Sequence, residues 1–272
     1  MASLPARGPS VRELPLPLPP ARMALVRAGR PLKRWRYVAV FREDLMLCVA
    51  EAQVAGLAQR WWAIALPDGT LEGRTTQRRA GVAAGQGHVR VEAGRALIEL
   101  QLDEGEGVEV VSPHGRSWIW TRKQALVPVR GRVRLGGREW EIDGRHAFID
   151  DSAGYHARHT CWRWSAGLGS TADGRPVGWN LVEGVHDGPV ASERTVWLDG
   201  DAREVDPQPF APDLSAVGDL RFSPWCERSE RINRIVMRSS YRQPFGSFSG
   251  TLPGGHELAA AQGVMEWHDV HW

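Results

Sequence analysis

The segment 148–169 carries the densest set of side chains that could do chemistry. It reads FIDDSAGYHARHTCWRWSAGLG and brings acids, imidazoles, guanidinium groups and indoles close together. If the segment is extended, one face carries His156, Arg158, Thr160, Trp162 and Trp164. Such a face is typical of a small-molecule pocket, where aromatic surface holds an apolar ligand and a few polar groups meet its polar end. The alternative is that the tryptophans belong to the core and that the polar groups bond local backbone.

His156 and His159 also have the spacing of a metal-binding pair. Residues i and i+3 of a strand point to opposite faces, so the two imidazoles could share an ion only in a helix or a turn. We therefore expect no metal site and no cofactor. The chemistry that remains available to these groups is acid–base catalysis.

Two further segments place acids among apolar residues. In WNLVEGVH at 179–186, a Glu183 carboxyl turned inward would have a raised pKa suited to proton transfer. In GVMEWHDVHW at 263–272, Glu266 and His268 share a strand face, so a buried Glu–His pair is available for acid–base work. The simpler alternatives are that Glu183 faces water and that the last segment is a terminal strand with a wet polar side.

These segments give two sets of candidate site residues. The candidates for proton transfer are Asp151, His156, His159, Glu183, Glu266 and His268. The candidates for ligand contact are Tyr155, Arg158, Trp162, Trp164, Trp179, Asn180, Tyr241, Phe245 and Trp267. Phe245 lies between Pro244 and Gly246, which predict a close turn that presents its ring.

Hydrophobic alternation predicts the elements that position these residues, and they are strands. About fifteen alternating stretches, such as WRYVAVF at 35–41, are separated by turn signals that include AspGly and GlyGly. We predict an antiparallel all-β barrel or sandwich. Only 224–231, with a proline near its first turn, indicates a helix. Length and strand count favour two β halves, 25–135 and 136–272.

Composition excludes several classes of protein. The 272 residues include 30 Gly, 18 Pro and 13 Trp, and 42% are hydrophobic, which suits a sizeable core rather than low-complexity disorder. A formal net charge of +2 argues against a nucleic-acid partner. Three distant cysteines without redox or metal-ligand spacing indicate a reducing, cytoplasmic setting. Among 34 basic residues only Lys33 and Lys123 are lysines, a bias that we attribute to the codon usage of a GC-rich genome.

The first 24 residues differ in composition from the rest. The run LPLPLPP at 14–20 cannot form the apolar helix of a signal peptide, because alternate residues are proline. No segment approaches the ~18 apolar residues of a membrane-spanning helix. We predict that 1–24 is a flexible, polyproline-like tail, with a docking ligand or a true start at Met23 as alternatives.

Long segments of the chain resemble a known bacterial family. They are GRPLKRWRYVAVF at 29–41, SPHGRSWIWTRKQ at 112–124, IDDSAGYHARHTCWRWSAG at 149–167, WNLVEGVHD at 179–187, YRQPFGSFSG at 241–250 and GVMEWHDVHW at 263–272. From about Leu25 onward the chain resembles the domain-of-unknown-function 2804 family. A more distant similarity, carried by AGYHARH at 153–159, is to calycin-like proteins such as carotenoid hydratases and tocopherol cyclases. That second resemblance implies two lipocalin-like halves, and no activity is carried over from it.

Three hypotheses about function follow. The first is a cytoplasmic protein that binds a small, largely apolar or amphipathic molecule in an aromatic-lined cavity. The second gives the same cavity cofactor-free hydratase, cyclase or isomerase chemistry, in which aromatic faces stabilise developing positive charge. The third is a structural protein without a ligand. None of them predicts an oligomeric state.

Overall fold

The computed structural model describes residues 4–77, 81–234 and 237–272, and these consist mainly of β-strands. The earlier strands are β1 (Ala6–Arg7), β2 (Val26–Arg27), β3 (Arg30–Pro31), β4 (Lys33–Phe41), β5 (Met46–Val54), β6 (Leu57–Ala65), β7 (Leu71–Thr76), β8 (Val82–Gly85), β9 (His88–Ala93), β10 (Ala96–Leu102), β11 (Val108–His114), β12 (Ser117–Leu135) and β13 (Arg138–Gly154). The later strands are β14 (His159–Thr171), β15 (Pro176–Glu183), β16 (Thr195–Leu198), β17 (Asp201–Glu204), β18 (Ala216–Val217), β19 (Leu220–Arg234), β20 (Met237–Leu252) and β21 (His256–His271). A short 3-10 helix spans Gly8–Glu13. Within the described residues, no helix has the length and hydrophobicity of a bilayer-spanning segment.

The strands form two large sheets. The first sheet has the order β7-β6-β5-β4-β13-β12-β10-β9-β8, with β11 paired to β12 and to β1 beside this path. The second has eight strands in the order β17-β16-β15-β14-β21-β20-β19-β18, and β2 and β3 form a separate ribbon. Neighbouring strands run antiparallel. The predicted antiparallel all-β architecture is confirmed.

The chain passes from the first sheet to the second between Gly154 and His159. The division expected at 135/136 falls at the turn between β12 and β13, which pair with each other inside the first sheet. Both strands are long, and register shifts interrupt their pairing, so periodicity divides each into shorter stretches. A GlyGly turn signal marks a chain reversal equally well within a sheet and between two sheets.

Two local predictions around prolines are wrong. Residues 224–231 belong to β19 and not to a helix, and a register shift between Pro224 and Cys226 accommodates the first proline. Pro244 and Gly246 likewise lie inside β20 and not in a turn. Pairing of β20 with β21 stops after Arg242 and resumes at Phe245, so the proline without an N–H group lies at a break in the ladder. Proline is tolerated in sheets at such irregular positions.

The apolar side chains of the two large sheets are buried in separate layers. One layer, including Val38 and Ile64, fills the inner face of the first sheet, and another, including Trp179 and Leu220, fills that of the second. Between the sheets lies a third layer, here called the inter-sheet layer. It contains Tyr37, Ala39, Phe41, Met46, Cys48, Ala50, Ala63, Ala65, Phe148, Trp164, Ala166, Leu168, Val182, Trp197, Phe245 and Val264. Its first-sheet side is rich in alanine, and these small side chains leave room for the large rings of the second sheet.

The N-terminal segment is packed against the first sheet, which differs from the flexible tail expected. Val11, Leu14, Leu18 and Met23 are buried together with Tyr155 and two tryptophans of β12. In the run LPLPLPP, Leu14 and Leu18 are buried while Pro15 and Pro17 are exposed. The alternation of leucine and proline thus gives the extended segment one apolar face, which the sheet covers.

We predict that Leu18→Ala lowers the free energy of unfolding by roughly 2 kcal/mol, because it removes buried methyl groups and leaves a cavity. Urea denaturation of the full chain measures the change. Glu13→Ala, at an exposed position in the same segment, is the control and should change stability by less than about 0.5 kcal/mol. Equal stability of Leu18→Ala and the unsubstituted chain would show that this segment is not anchored.

Candidate functional site

Polar side chains interrupt the inter-sheet layer in one row across the first sheet. The strand register aligns Lys123 of β12 with Asp150 of β13, and Asp150 with Tyr37 of β4. The row continues through Ala50 of β5 to Trp61 of β6. Cross-strand partners point to the same face of a sheet, so all five side chains face the second sheet.

The second sheet brings its own polar and aromatic row to the same layer. Glu266 of β21 is the register partner of Trp164 of β14. One step along, Trp162 pairs with His268, and His268 pairs with Tyr241 of β20. The predicted alternation of β14 and β21 is therefore correct, and it places these five residues on one face.

Glu266 is the best-connected acid of this face. Its Oε1 accepts a hydrogen bond of 2.8 Å from the Trp162 indole, and its Oε2 accepts one of 2.9 Å from the Gln243 amide. Burial raises the pKa of Glu266 to about 7, although hydrogen bonds from Trp162, Tyr241 and Gln243 oppose that rise and the charge of Asp150 adds to it. A carboxyl with this pKa can give up or take a proton near neutral pH.

His268 lies beside Glu266 but bonds to a different partner. A 2.8 Å hydrogen bond joins its Nε2 to the Ser239 hydroxyl, and its ring lies 4.4 Å from that of Trp162 and 5.2 Å from that of Tyr241. Burial lowers the pKa of His268 to about 4, so the ring is neutral at pH 7. The two residues of the expected Glu–His pair are thus in one site, with Trp162 in contact with both.

A buried ion cluster lies across the layer, at the other end of the first-sheet row. Lys123 Nζ is 2.6 Å from Asp150 Oδ1 and 3.4 Å from Glu193 Oε2. Burial alone would lower the pKa of Lys123, but the two carboxylates outweigh it and raise that pKa. Burial raises the pKa of Glu193 to about 7, against the opposing charge of Lys123. Below neutral pH, Glu193 is therefore neutral, and the Lys123 ammonium remains paired with Asp150.

Asn180 connects this ion cluster to the aromatic wall. Its Nδ2 donates a 2.9 Å hydrogen bond to the Glu193 carbonyl, and its Oδ1 accepts one of 2.7 Å from the Trp164 indole. The Lys123 ammonium also lies 5.9 Å from the centre of the Trp164 ring. The Trp35 indole reaches the cluster from the first sheet through a 3.4 Å bond to Asp150. These contacts fix the orientation of both indoles.

Arg228 links the two sheets at the opposite side of the site. Its guanidinium donates a 2.9 Å hydrogen bond to the Thr75 hydroxyl of the first sheet and one of 3.0 Å to Glu230 of its own strand. The same group lies 5.7 Å from the ring centre of Trp61 and 5.1 Å from that of Tyr241. A half-buried arginine therefore holds the aromatic residues of both sheets in register.

Some polar atoms of this region have no hydrogen-bond partner among the described residues. They include Gln243 Oε1, the Trp61 indole nitrogen and the Tyr37 hydroxyl, whose polar neighbour is the Cys48 thiol. Buried polar atoms are nearly always bonded to protein or to ordered water. Among the described residues, Gln243 Oε1 and the Trp61 nitrogen are therefore two buried polar atoms of the site whose hydrogen-bonding capacity is unused.

A second set of buried basic groups lies where β4 begins. Lys33 shares the face of Tyr37 on β4, and its Nζ is 3.5 Å from the His156 carbonyl and 4.1 Å from the centre of the Trp272 ring. Burial, with a contribution from Arg30, lowers the pKa of Lys33 to about 7. Burial likewise lowers the pKa of His156 well below its ordinary value, and neither ring nitrogen has a partner in the described chain.

The structure brings seven of the predicted residues to the inter-sheet layer. They are Glu266, His268, Trp162, Trp164, Asn180, Tyr241 and Phe245. His156 lies nearby, with its ring 5.0 Å from that of Trp35. His156 lies in the connection between β13 and β14, and the other residues lie on β14, β15, β20 and β21. Strand alternation indicates the side correctly for those on β14, β15 and β21.

Three predicted acid–base residues lie outside this layer. Asp151 faces the inner side of the first sheet, where it accepts hydrogen bonds from Arg36 at 2.8 Å and Arg122 at 2.7 Å. Glu183 is exposed and bonds to Arg163 at 3.0 Å. His159 is also exposed, and its Nε2 lies 3.0 Å from Asp269.

Four predicted ligand contacts are also placed elsewhere. Trp179 is in the inner core of the second sheet, where a Cβ on Gly167 would collide with its ring, and Trp267 packs at the edge of that core. Tyr155 packs under the N-terminal segment and donates a hydrogen bond to a backbone carbonyl of that segment. Arg158 is exposed. The aromatic candidates for ligand contact are therefore divided, because Trp162, Trp164 and Phe245 lie at the inter-sheet layer, whereas Trp179 and Trp267 belong to the inner core of the second sheet.

Sequence reasoning missed several residues of the site. These are Lys123, Asp150, Glu193, Gln243, Arg228, Tyr37, Trp61 and Lys33. One signal was available for two of them. Lys33 and Lys123 are the only lysines in an arginine-rich chain, and both are buried in this part of the fold.

Two cavities lie along the N-terminal segment and not at the inter-sheet layer. One, of about 380 Å³, is bounded by 20–25 and by residues in or next to β4 and β5, and the other, of about 460 Å³, by 11–21. Neither is lined by a charged pair or by a group with a shifted pKa. The buried titratable side chains at the inter-sheet layer therefore lie away from these two cavities.

The fold and the site define an all-β protein of two antiparallel sheets with a buried polar cluster between them. The family profile described as Domain of unknown function (DUF2804) matches residues 71–272, and the chain belongs to this family. The resemblance inferred from its motifs is confirmed. No curated protein matches the chain.

Three solved structures are similar to the chain. A protein provisionally named AttH, from Nitrosomonas europaea, has a TM-score of 0.50 and 15% identity over 92% of this chain and 97% of that one. Kievitone hydratase from Nectria haematococca has a TM-score of 0.46 and 10% identity over 88% of each chain. CghA with Sch210972 has a TM-score of 0.42 and 10% identity over 88% of each chain. The first of these supports the fold assignment.

The raised pKa of Glu266 predicts how stability depends on pH. Between the ordinary value of 4.5 and about 7, the folded state keeps a proton that the unfolded state releases, so this group makes stability fall as pH rises through that window. Glu266→Gln removes the titration. We expect its stability relative to the unsubstituted chain to rise by up to ~3 kcal/mol from pH 4.5 to 7.5, measured by urea denaturation.

Glu183→Gln is the matched control for this experiment. Glu183 lies on β15 of the same sheet, separated from β21 by β14, but it is exposed and paired with Arg163. Its stability difference from the unsubstituted chain should be nearly independent of pH. If the stability difference between Glu266→Gln and the unsubstituted chain were also independent of pH, Glu266 would not be held protonated in the folded state.

Proposed function

We propose that the inter-sheet layer binds a small, largely apolar molecule. The observation that carries this proposal is the pair of buried, unpartnered polar atoms, Gln243 Oε1 and the Trp61 nitrogen, within a layer of aromatic and alanine side chains. Such a combination is characteristic of ligand sites, where apolar surface supplies affinity and a few polar groups set orientation. Trp162, Tyr241 and His268 are only half-buried, and we place the entrance for a ligand at these side chains.

The polar atoms limit what this molecule can be. The Trp61 indole is a donor only, and Gln243 Oε1 is an acceptor only, since the amide nitrogen of Gln243 is engaged by Glu266. A matching ligand carries an oxygen acceptor, such as a carbonyl, and a hydroxyl donor on an otherwise apolar or aromatic skeleton. Its rings or chains would lie against Trp61, Trp162 and Tyr241.

A second function, acid–base catalysis without a cofactor, is favoured by the state of Glu266. Burial raises the pKa of its carboxyl to about 7, and the carboxyl is held by the neutral donors of Trp162, Gln243 and Tyr241, with no cationic partner among the described residues that would keep it ionised. Glu266 would take or give the proton, and neutral His268 beside it would serve as the second acid–base group. Faces of Trp162 and Tyr241 would stabilise positive charge on the reacting molecule. Hydration, cyclisation and isomerisation are reactions of this kind.

Binding is tested by native mass spectrometry of the protein purified from its own host. We expect a retained small molecule, which Gln243→Leu loses because the substitution removes the acceptor and the support of Glu266. Gln101→Leu, at an exposed position of the first sheet, should retain it. Absence of any retained molecule, or equal retention by both variants, would leave a structural role as the better explanation.

Catalysis is tested with the retained molecule as probe. Incubated in D2O, the unsubstituted protein should incorporate deuterium into that molecule, because a proton removed by Glu266 is replaced from solvent. Glu266→Gln should exchange at least ~100-fold more slowly while it still binds the molecule, and Glu183→Gln should exchange normally. Exchange by Glu266→Gln at the unsubstituted rate would exclude Glu266 as the acid–base group.

A further inference from the structure

A group of metal-ligating side chains lies apart from the inter-sheet layer, on the opposite face of the second sheet and at one end of β14 and β21. His159 at the start of β14 and His271 at the end of β21 are register partners, and their rings stack with centres 4.0 Å apart. Asp269 lies two residues before His271 on the same face. One ligand atom from each of the three residues lies within 4.8 Å of the others.

The three donor atoms lie close together. Asp269 Oδ1 is 3.0 Å from His159 Nε2 and 3.8 Å from His271 Nε2. In a tetrahedral zinc site with bonds of about 2.0–2.2 Å, neighbouring ligand atoms are about 3.3 Å apart. The two observed separations bracket this value. The two imidazoles are stacked with an interplanar angle of 12°, so binding one ion requires at least one ring to rotate until both lone pairs point at that ion. All three side chains are between one-third and just over one-half exposed, which leaves them free to make such a movement.

We propose that His159, Asp269 and His271 bind one divalent transition-metal ion of the zinc type. Two imidazoles and one carboxylate are ligands that zinc prefers, whereas calcium and magnesium take oxygen ligands. Three protein ligands leave a fourth position for water. The pair His156 and His159, which the sequence suggested for a metal, is excluded because His156 is buried and His159 exposed. The partner of His159 comes from the neighbouring strand.

The position of this group suggests what an ion would do for the fold. His159 is the first residue of β14 and His271 the last of β21, so a bound ion would clamp the end of this strand pair. Trp162 and His268 of the inter-sheet layer lie on the same two strands, three residues away from His159 and His271 along the chain. The ion would thus restrain the strands that carry the half-buried side of that layer. The proposal does not depend on the function of the layer itself.

The test is titration of the full chain, first treated with EDTA, with Zn²⁺ in competition with a chromophoric chelator. We expect one tight equivalent, a tetrahedral visible spectrum when Co²⁺ replaces Zn²⁺, and a higher melting temperature that EDTA reverses. His159→Ala and His271→Ala should each weaken Zn²⁺ binding by at least ~10-fold. In metal sites, even the loss of a residue that only hydrogen-bonds to a ligand has an effect of this size. Asp269→Asn should weaken it as well.

His256→Ala is the matched control, since His256 is the first residue of β21 and lies far along that strand from Asp269. It should bind Zn²⁺ like the unsubstituted chain. The absence of a tight equivalent, or equal weakening by His256→Ala and His271→Ala, would overturn the proposal. The metal-free variants should melt at the same temperature as the metal-free unsubstituted chain, because the three side chains are outside the core. A lower temperature for His271→Ala in the absence of metal would assign it a role in packing instead.

Discussion

The balance of buried charge between the two sheets is the constraint on which the rest of the site depends. Lys123 and Asp150 come from the first sheet, and Glu193 comes from the loop before β16 of the second half. A charge in this position is costly unless it is paired, and removal of one partner leaves the others uncompensated. The Lys123 cluster therefore requires that the two halves meet in one relative position. The indoles of Trp164 and Trp35 take their orientation from the same cluster.

Strand alternation predicted the second-sheet side of the site but not the first-sheet side. On β21, Glu266 and His268 alternate with residues of the inner core, so their common face can be identified from local sequence. On β13, Asp150 and Asp151 are adjacent, and both faces of the strand are buried, because Phe148 faces the inter-sheet layer and Ile149 the inner core. Periodicity cannot decide which acid faces which layer when both layers are apolar. The register with β4 decides it, and register is a property of the folded sheet.

The partners of the site residues were harder to predict, because they are distant in sequence. Glu193 lies in a loop without periodicity, and Gln243 lies beside a proline that suggested a turn. Lys123 is different, because its residue type carried information. In a chain that uses arginine for nearly every positive charge, lysine at Lys33 and Lys123 is unexpected, and attributing the bias to codon usage explained the arginines but not the exceptions. A slender stem with a single ammonium fits between packed residues where a planar guanidinium with five donors would leave several of them unbonded.

The two acids with raised pKa values differ in what can hold them ionised. Glu193 lies 3.4 Å from Lys123, so its ionised form has a counter-charge, and a change in its protonation alters the bonds that join the halves. In the part of the chain that the structure describes, Glu266 has no such counter-charge, since its partners Trp162, Gln243 and Tyr241 are neutral donors. Those donors stabilise the carboxylate enough to bring its pKa near 7 but not enough to keep it ionised. Proton exchange at Glu266 therefore costs little structural change, whereas at Glu193 it disturbs the assembly of the sheets. Of the two acids, Glu266 is the one whose carboxyl can change its protonation without altering the ion pair with Lys123 that joins the two halves.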